Sequence, residues 1–144
     1  MADQVEALRL ADRKHPRTLP VRSRRMDAPS EPGEVPPTIL ARFLHALSDP
    51  TRLRILDLLI RERELHVSAL VERLAQPQGR VSAHLTCLRT CGLVRVRREG
   101  KFRFYAITDQ RIPALLALAR ELARPREAAI ANCAYAEHHD LMGG

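Results

Sequence analysis

The sequence predicts a mainly α (α+β) fold: a winged helix-turn-helix with a β-hairpin wing, dimeric through its first and last helices. Three observations carry this. From Val67 to Gly92 a short apolar-periodic stretch, a tight turn and a second periodic stretch follow one another, the layout of a helix-turn-helix. Leu93 to Ile107 then alternates, turns at Glu99-Gly100-Lys101 and alternates again, as a hairpin does. Helical segments on either side carry more apolar surface than one small domain covers alone, which points to pairing with a second copy.

In chain order, residues 1–37 hold six of the ten prolines, and Arg9, Arg13, Lys14, Arg17, Arg22, Arg24 and Arg25 are opposed within that run only by Asp12. This predicts a disordered, basic, proline-rich arm able to add phosphate or minor-groove contacts beside a folded domain. The folded domain is expected over 38–124. Ile39, Leu40, Phe43, Leu44 and Leu47 repeat at helical spacing after a capping Thr38. Ser48-Asp49-Pro50-Thr51 stops that helix and starts the next, since Asp or Ser caps free amides and Pro suits the first helical position. The second helix, to about Arg63, is apolar nearly all round and should be largely buried.

A third, short helix opens at Val67-Ser68 with Ser68 as its cap and Leu70, Val71 and Leu74 pointing inward. Ala75 to Gln78 form the turn into the fourth. After the wing, Asp109 can cap a last strong helix whose Ile112, Leu115, Leu116, Ala119 and Leu122 make an apolar face. Pro125 ends the regular pattern, and 125–144 forms a tail with a helical patch at Ala128, Ala129 and Ile130, then Cys133, His138 and His139.

Lys+Arg 24 against Asp+Glu 17 gives a formal charge of +7 and favours a polyanionic partner. Aromatics are 3% and Trp is absent, which disfavours single-strand binding by base stacking and leaves double-stranded DNA as the better fit. No run approaches the ~18 apolar residues of a membrane span and the N-terminus lacks a signal-peptide core, so a cytoplasmic protein without a membrane partner is expected. Three cysteines, an odd number, argue against a disulfide framework and leave metal binding, redox chemistry or burial. A catalytic cysteine would need a poised base and a pocket; neither is visible, and the chain is not expected to be an enzyme.

The most informative stretch is Pro77 to Gly92, PQGRVSAHLTCLRTCG. Val81, His84 or Leu85, and Leu88 form its inward stripe, while Gln78, Arg80, Ser82 and Thr86 fall largely off it and suit base edges or phosphates. On the wing, Arg95, Arg97, Arg98, Lys101 and Arg103, with Arg111 on the following turn, are candidates for phosphate contact. Cys87 and Cys91 are i and i+4, their Cβ atoms about 6 Å apart on one side, too far for a mutual disulfide without unwinding the helix. Gly92 supplies a left-handed helix end. His84 reads as a packing or hydrogen-bonding histidine and His66 as a surface one.

Residues 38 to 123 resemble the ArsR/SmtB family of winged-helix repressors. The resemblance rests on Leu47-Ser48-Asp49-Pro50-Thr51-Arg52-Leu53-Arg54-Ile55-Leu56, Val81-Ser82-Ala83-His84-Leu85, Leu88-Arg89 through Cys91-Gly92-Leu93-Val94, and Arg98-Glu99-Gly100-Lys101 to Tyr105. It implies a homodimer that sits on its operator when empty and leaves when an inducer, often a metal ion, binds. Glu64-Leu65-His66-Val67-Ser68 lacks the thiols of the family's third-helix metal site, and Arg111 stands where its last-helix zinc site has a histidine. The cadmium/lead-sensing subgroup is more similar, in His84 through Val94 and in a third cysteine near the C-terminus. That similarity implies a metal site of Cys87, Cys91 and Cys133, the last supplied in that subgroup by the partner protomer.

Three sulfurs without a fourth strong ligand suit Cd(II), Pb(II) or Hg(II) as effector, with Zn(II) less suited. Two alternatives remain at this stage: a thiol-based redox-sensing repressor of the same fold, with Cys133 as resolving partner, and an effector-independent DNA-binding protein.

Overall fold

The structure, a computed structural model, describes residues 33–133. Residues 1–32 of the expected arm lie outside the described residues, as do His138 and His139. The elements are α1 (Pro37–Leu47), α2 (Pro50–Glu62), β1 (Glu64–His66), α3 (Val67–Leu74), α4 (Gln78–Thr90), β2 (Val94–Glu99), β3 (Phe102–Ile107) and α5 (Arg111–Ala123). A 3-10 turn (Arg124–Arg126) and a short α6 (Glu127–Ala131) follow.

Helix α1 begins one residue before the expected cap, with Pro37 rather than Thr38 opening it; a proline there forfeits no hydrogen bond, because the first amides of a helix have no partner within it. Arg52 reaches back from α2 to the other end of α1, donating from Nε to the Ala46 carbonyl at 2.6 Å and from Nη2 to the His45 carbonyl at 3.1 Å. The start of α2 is as expected: Asp49 Oδ1 accepts the Arg52 N–H at 2.8 Å and Pro50 follows. Three of its apolar residues, Ile55, Leu56 and Leu59, are fully buried, while Leu53, Leu58 and Ile60 pack partly exposed against the same core.

Strand β1 is absent from the sequence reading. Three residues are too few for alternation to register, and the partner strand lies some forty residues downstream. It pairs antiparallel with β3, Leu65 opposite Tyr105, giving a three-stranded sheet in the order β1-β3-β2. The strand also changes how α3 starts. The cap is His66, not Ser68: Nδ1 of His66 accepts the Ala69 N–H at 3.1 Å. His66 is half-buried rather than a surface residue, its ring edge-on to Phe104 at 5.8 Å and tilted against Phe102 at 5.9 Å. Ser68, one position inside the helix, stays exposed.

The core joins every long element. Leu70 and Leu74 of α3, Val81, Leu85 and Leu88 of α4, Leu93 and Val94 at the start of the wing, and Ile112 and Leu116 of α5 meet the α2 residues in one cluster. Each such side chain contributes roughly 1.5–3 kcal/mol by leaving water. Other faces of the outer helices stay uncovered in the single chain: Ile39, Leu40 and Leu44 on α1 and Leu118 and Leu122 on α5 are each about half exposed. No helix among the described residues is long and apolar enough to cross a membrane.

The cap assignment has a direct test in urea unfolding. His66→Ala is expected to cost about 1 kcal/mol, as loss of a helix cap does, whereas Ser68→Ala should stay within about 0.5 kcal/mol.

Candidate nucleic-acid interface and thiol site

Helix α4 organises the site because its buried stripe fixes its rotation. With Val81, Leu85 and Leu88 all within 1% of full burial, the remaining side chains fall on two flanks, each about a quarter turn from the core by the 3.6-residue repeat. Gln78, Ser82, Thr86 and Arg89 sit at i, i+4, i+8 and i+11 on one flank. Arg80, His84, Cys87 and Cys91 sit at i, i+4, i+7 and i+11 on the other. Arg80, grouped in sequence with the candidate base-reading residues, therefore lies on the thiol flank instead.

The first flank faces the wing. Gln78, Ser82 and Thr86 line a cleft of about 310 Å³ with Ser68, Lys101, Phe102, Arg103 and Tyr105. Thr86, Arg103 and Tyr105 continue into a second cleft of about 300 Å³ that adds Arg89, Val96 and Arg98. Arg89 was missed in the sequence, where only its helical spacing from Gln78 could have flagged it.

Register divides the wing's cations. Arg98 stands directly opposite Arg103 on the face that carries Val96 and Tyr105, toward α4. Arg95, Arg97 and Glu99 point to the other face with Phe104, Ala106 and Glu64. There Arg97 is held by Glu64 and, at 2.6 Å, by Glu99, with its guanidinium 4.7 Å from the Phe104 ring centroid. The hydrogen bond from Arg97 holds the Glu64 carboxyl below its usual range, and the two carboxylates push the arginine further up. Arg95 lines a separate cleft with Arg63, Gln110 and Pro113. Lys101 reaches over Phe102, 5.6 Å from its centroid. Arg111 is engaged as well: its guanidinium bonds both Asp109 oxygens at 2.6 and 3.1 Å, and with the Arg111 N–H lowers the Asp109 pKa to about 2. The N-cap of α5 is Gln110 rather than the expected Asp109, whose carboxylate nonetheless accepts the Arg111 N–H at 2.8 Å.

On the second flank Cys87 is half-buried and Cys91 exposed; both are free thiols. Partial burial is the main cause that pushes the Cys91 thiol above its ordinary pKa, followed by the neighbouring Cys87, with Arg52 acting in the opposite sense. His84, half-buried, has its Nδ1 3.7 Å from the Asp49 carboxylate that caps α2, a close approach longer than a hydrogen bond. Cys91 is the C-cap of α4. Past it the Gly92 N–H bonds the Arg89 carbonyl at 3.0 Å and the Leu93 N–H bonds the Leu88 carbonyl at 2.9 Å, a Schellman closure with Gly92 at φ 74°. Thr108 then donates its hydroxyl to the Gly92 carbonyl at 2.6 Å, tying the thiol end of α4 to the approach to α5. Cys133 is exposed beyond α6, and among the described residues no three His, Cys, Asp or Glu side chains of one chain gather as a metal site. One protomer thus brings Cys87 and Cys91 together but not Cys133.

Residues 49–96 match the family described as bacterial regulatory protein, arsR family. The chain is 44% identical over 104 residues to a probable mercury resistance operon repressor of Streptomyces lividans, covering 70% of this chain and 82% of that protein. Its fold is similar to the crystal structure of Mycobacterium tuberculosis Rv0081, at 36% identity and TM-score 0.58 over 65% of this chain and 94% of that one. It is similar also to the homodimeric winged helix-turn-helix DNA-binding domain Mb0332 of Mycobacterium bovis, a possible ArsR-family regulator, at 36% identity and TM-score 0.55 over 60% and 80%.

The two ends of α4 respond differently to the same substitution. A Cβ at Gly92 meets nothing within 4 Å, so Gly92→Ala carries only the left-handed backbone cost, about 1–2 kcal/mol of thermal or urea stability. Gly79→Ala, in equally open space on a helical backbone, should instead stabilise by about 0.5 kcal/mol.

Proposed function

The chain belongs to the arsR family of bacterial regulatory proteins, and from that premise we propose that it is a homodimeric repressor of duplex operator DNA, released when a soft divalent metal ion binds three cysteines. The observation that carries this reading is the placement of Cys87 and Cys91 on one flank of the helix whose other flank, with the wing, forms the candidate DNA surface. Gln78, Ser82 and Thr86 read bases, and Arg98, Lys101 and Arg103 hold phosphates beside them. Arg80 approaches the duplex from the thiol flank. Arg95 and Arg97, on the far face of the wing, serve its structure more than its contacts.

The half-exposed faces of α1 and α5 support pairing with a second copy, since together they present an apolar surface a monomer would leave in water. In that dimer Cys87 and Cys91 of one protomer meet the partner's Cys133. Thiolates favour soft ions, and a three-sulfur shell suits Cd(II), Pb(II) or Hg(II) better than Zn(II), which wants a fourth ligand. The Streptomyces relative is named for mercury resistance.

Release follows from geometry. Drawing the Cys91 end of α4 toward the partner's tail rotates the reader away from its spacing with the second reader, and Thr108 passes the displacement to α5. Moving the population from mostly bound to mostly free requires the ion to favour the released form by about 5.5 kcal/mol, within the reach of thiolate–metal binding.

Thiolate-to-metal absorption on titrating the reduced protein with Cd(II), Pb(II) or Hg(II) tests the site. Homodimers of Cys87→Ser, Cys91→Ser or Cys133→Ser should each lose the band. A mixed dimer of Cys87→Ser with Cys133→Ser should regain roughly half of it, because a two-fold dimer then keeps one intact site. Full absorption in all three single variants would overturn the reading, and no recovery in the mixed dimer would refute a ligand donated by the partner. Because metal entry expels the Cys91 proton, apparent metal affinity should rise with pH below the elevated thiol pKa, about tenfold per unit for each proton displaced.

A further inference from the structure

Among the described residues, some arginines are paired with carboxylates and others are not. Arg73, Arg97, Arg111 and Arg120 each hold a carboxylate: Glu62, Glu64 with Glu99, Asp109 and Asp57. The guanidinium groups of Arg89, Arg98 and Arg103 hold none among the described residues, and all three line one cleft of about 300 Å³ between α4 and the wing. Arg98 and Arg103 are moreover directly opposite each other across the hairpin, where like charges repel and weaken the pairing. An acidic residue at either position would have relieved that repulsion, as Glu64 and Glu99 do for Arg97 on the opposite face.

Tyr105 belongs to the same cleft. Its side chain is only 9% exposed, yet its hydroxyl makes no hydrogen bond within the described chain and is not sealed from solvent. The Thr86 hydroxyl has already given its proton to the Ser82 carbonyl at 2.9 Å, so it walls the cleft without donating. Three guanidinium forks and a phenol, all donors and none neutralised, fit a tetrahedral oxyanion, which guanidinium groups bind with paired, charge-assisted bonds. Thr86, Arg103 and Tyr105 also line the neighbouring cleft with Gln78 and Ser82, so the anion would lie beside the base-reading flank.

We propose that this cleft seats a single phosphate of the DNA backbone, gripped by Arg89 from the reader helix and by Arg98 and Arg103 from the wing. One shared negative charge offsets the Arg98–Arg103 repulsion and locks wing and reader together only on the duplex. The seat rests on the DNA-binding reading above and adds to it Arg89 and the sharing of one phosphate by two elements.

The test uses the full chain and a duplex it selects from a random pool, scanned with single uncharged methylphosphonate linkages. One linkage should weaken binding about tenfold for the native chain and by less than about twofold in Arg89→Gln, Arg98→Gln and Arg103→Gln alike. Arg103→Lys, which keeps the charge without the fork, should recover part of that sensitivity. In the absence of DNA, Arg98→Gln should unfold at a higher temperature than the native chain, which shows the fold intact and the repulsion real. Loss of sensitivity at different linkages in different variants would overturn the shared seat. So would unchanged linkage sensitivity in the variants together with stabilisation of the free native chain by millimolar inorganic phosphate, which would assign the cleft to a free anion. Failure to select any duplex would instead overturn the DNA-binding reading beneath it.

Discussion

Burial of one stripe of α4 is the constraint from which the rest follows. Val81, Leu85 and Leu88 enter the core formed by α2, α3 and α5, and Leu93, one residue past the Gly92 turn, enters it too. With both the body and the exit of the helix pinned, its rotation is set, and the remaining side chains are sorted onto two flanks a half-turn apart. One flank meets the wing. The other carries the thiols. A helix with a wider apolar face would have had no room for both, and one with a narrower face would not have held its rotation tightly enough to distinguish them.

Electrostatics refine that division. Several carboxylates hold arginines whose task is internal: Glu64 and Glu99 hold the outer face of the hairpin through Arg97, Asp109 holds Arg111 at the start of α5, and Asp57 ties Arg120 of α5 to α2. Of the described arginines that hold no carboxylate, Arg89, Arg98 and Arg103 line the cleft between reader and wing. A formal charge of +7 says only that the surface is basic; the pairing pattern says where the basic charge is available. Thr108 links the flanks mechanically, since its bond to the Gly92 carbonyl joins the Cys91 end of the reader to the helix whose outer face is uncovered in the monomer.

The long elements were legible because periodicity over ten residues or more is a strong signal and because Asp49-Pro50 and Gly92 are strong punctuation. The hairpin and its turn were legible for the same reason. Strand β1 was not: three residues carry no period, and the pairing that makes them a strand lies across the chain. Missing it also hid the role of His66, whose cap geometry depends on the extended backbone that β1 imposes. At the site, the sequence shows which residue types are present but not which way they face. Arg80 and Ser82 are neighbours in sequence yet lie on opposite flanks, and Arg95, Arg97 and Arg98 are separated by the pleat. Which arginines are neutralised depends on cross-strand register, and no local pattern contains that information.

If one helix both reads DNA and supplies two metal ligands, the two ligands must compete through it, and linkage makes that competition reciprocal. The most direct measurement is therefore the metal affinity of the reduced dimer, free and saturated with its selected duplex, followed by thiolate-to-metal absorption. Sensor and reader sharing α4 predicts that the duplex weakens metal binding by the same factor by which metal weakens duplex binding, approaching about 10⁴ for a complete switch. Equal metal affinity with and without the duplex would contradict the account.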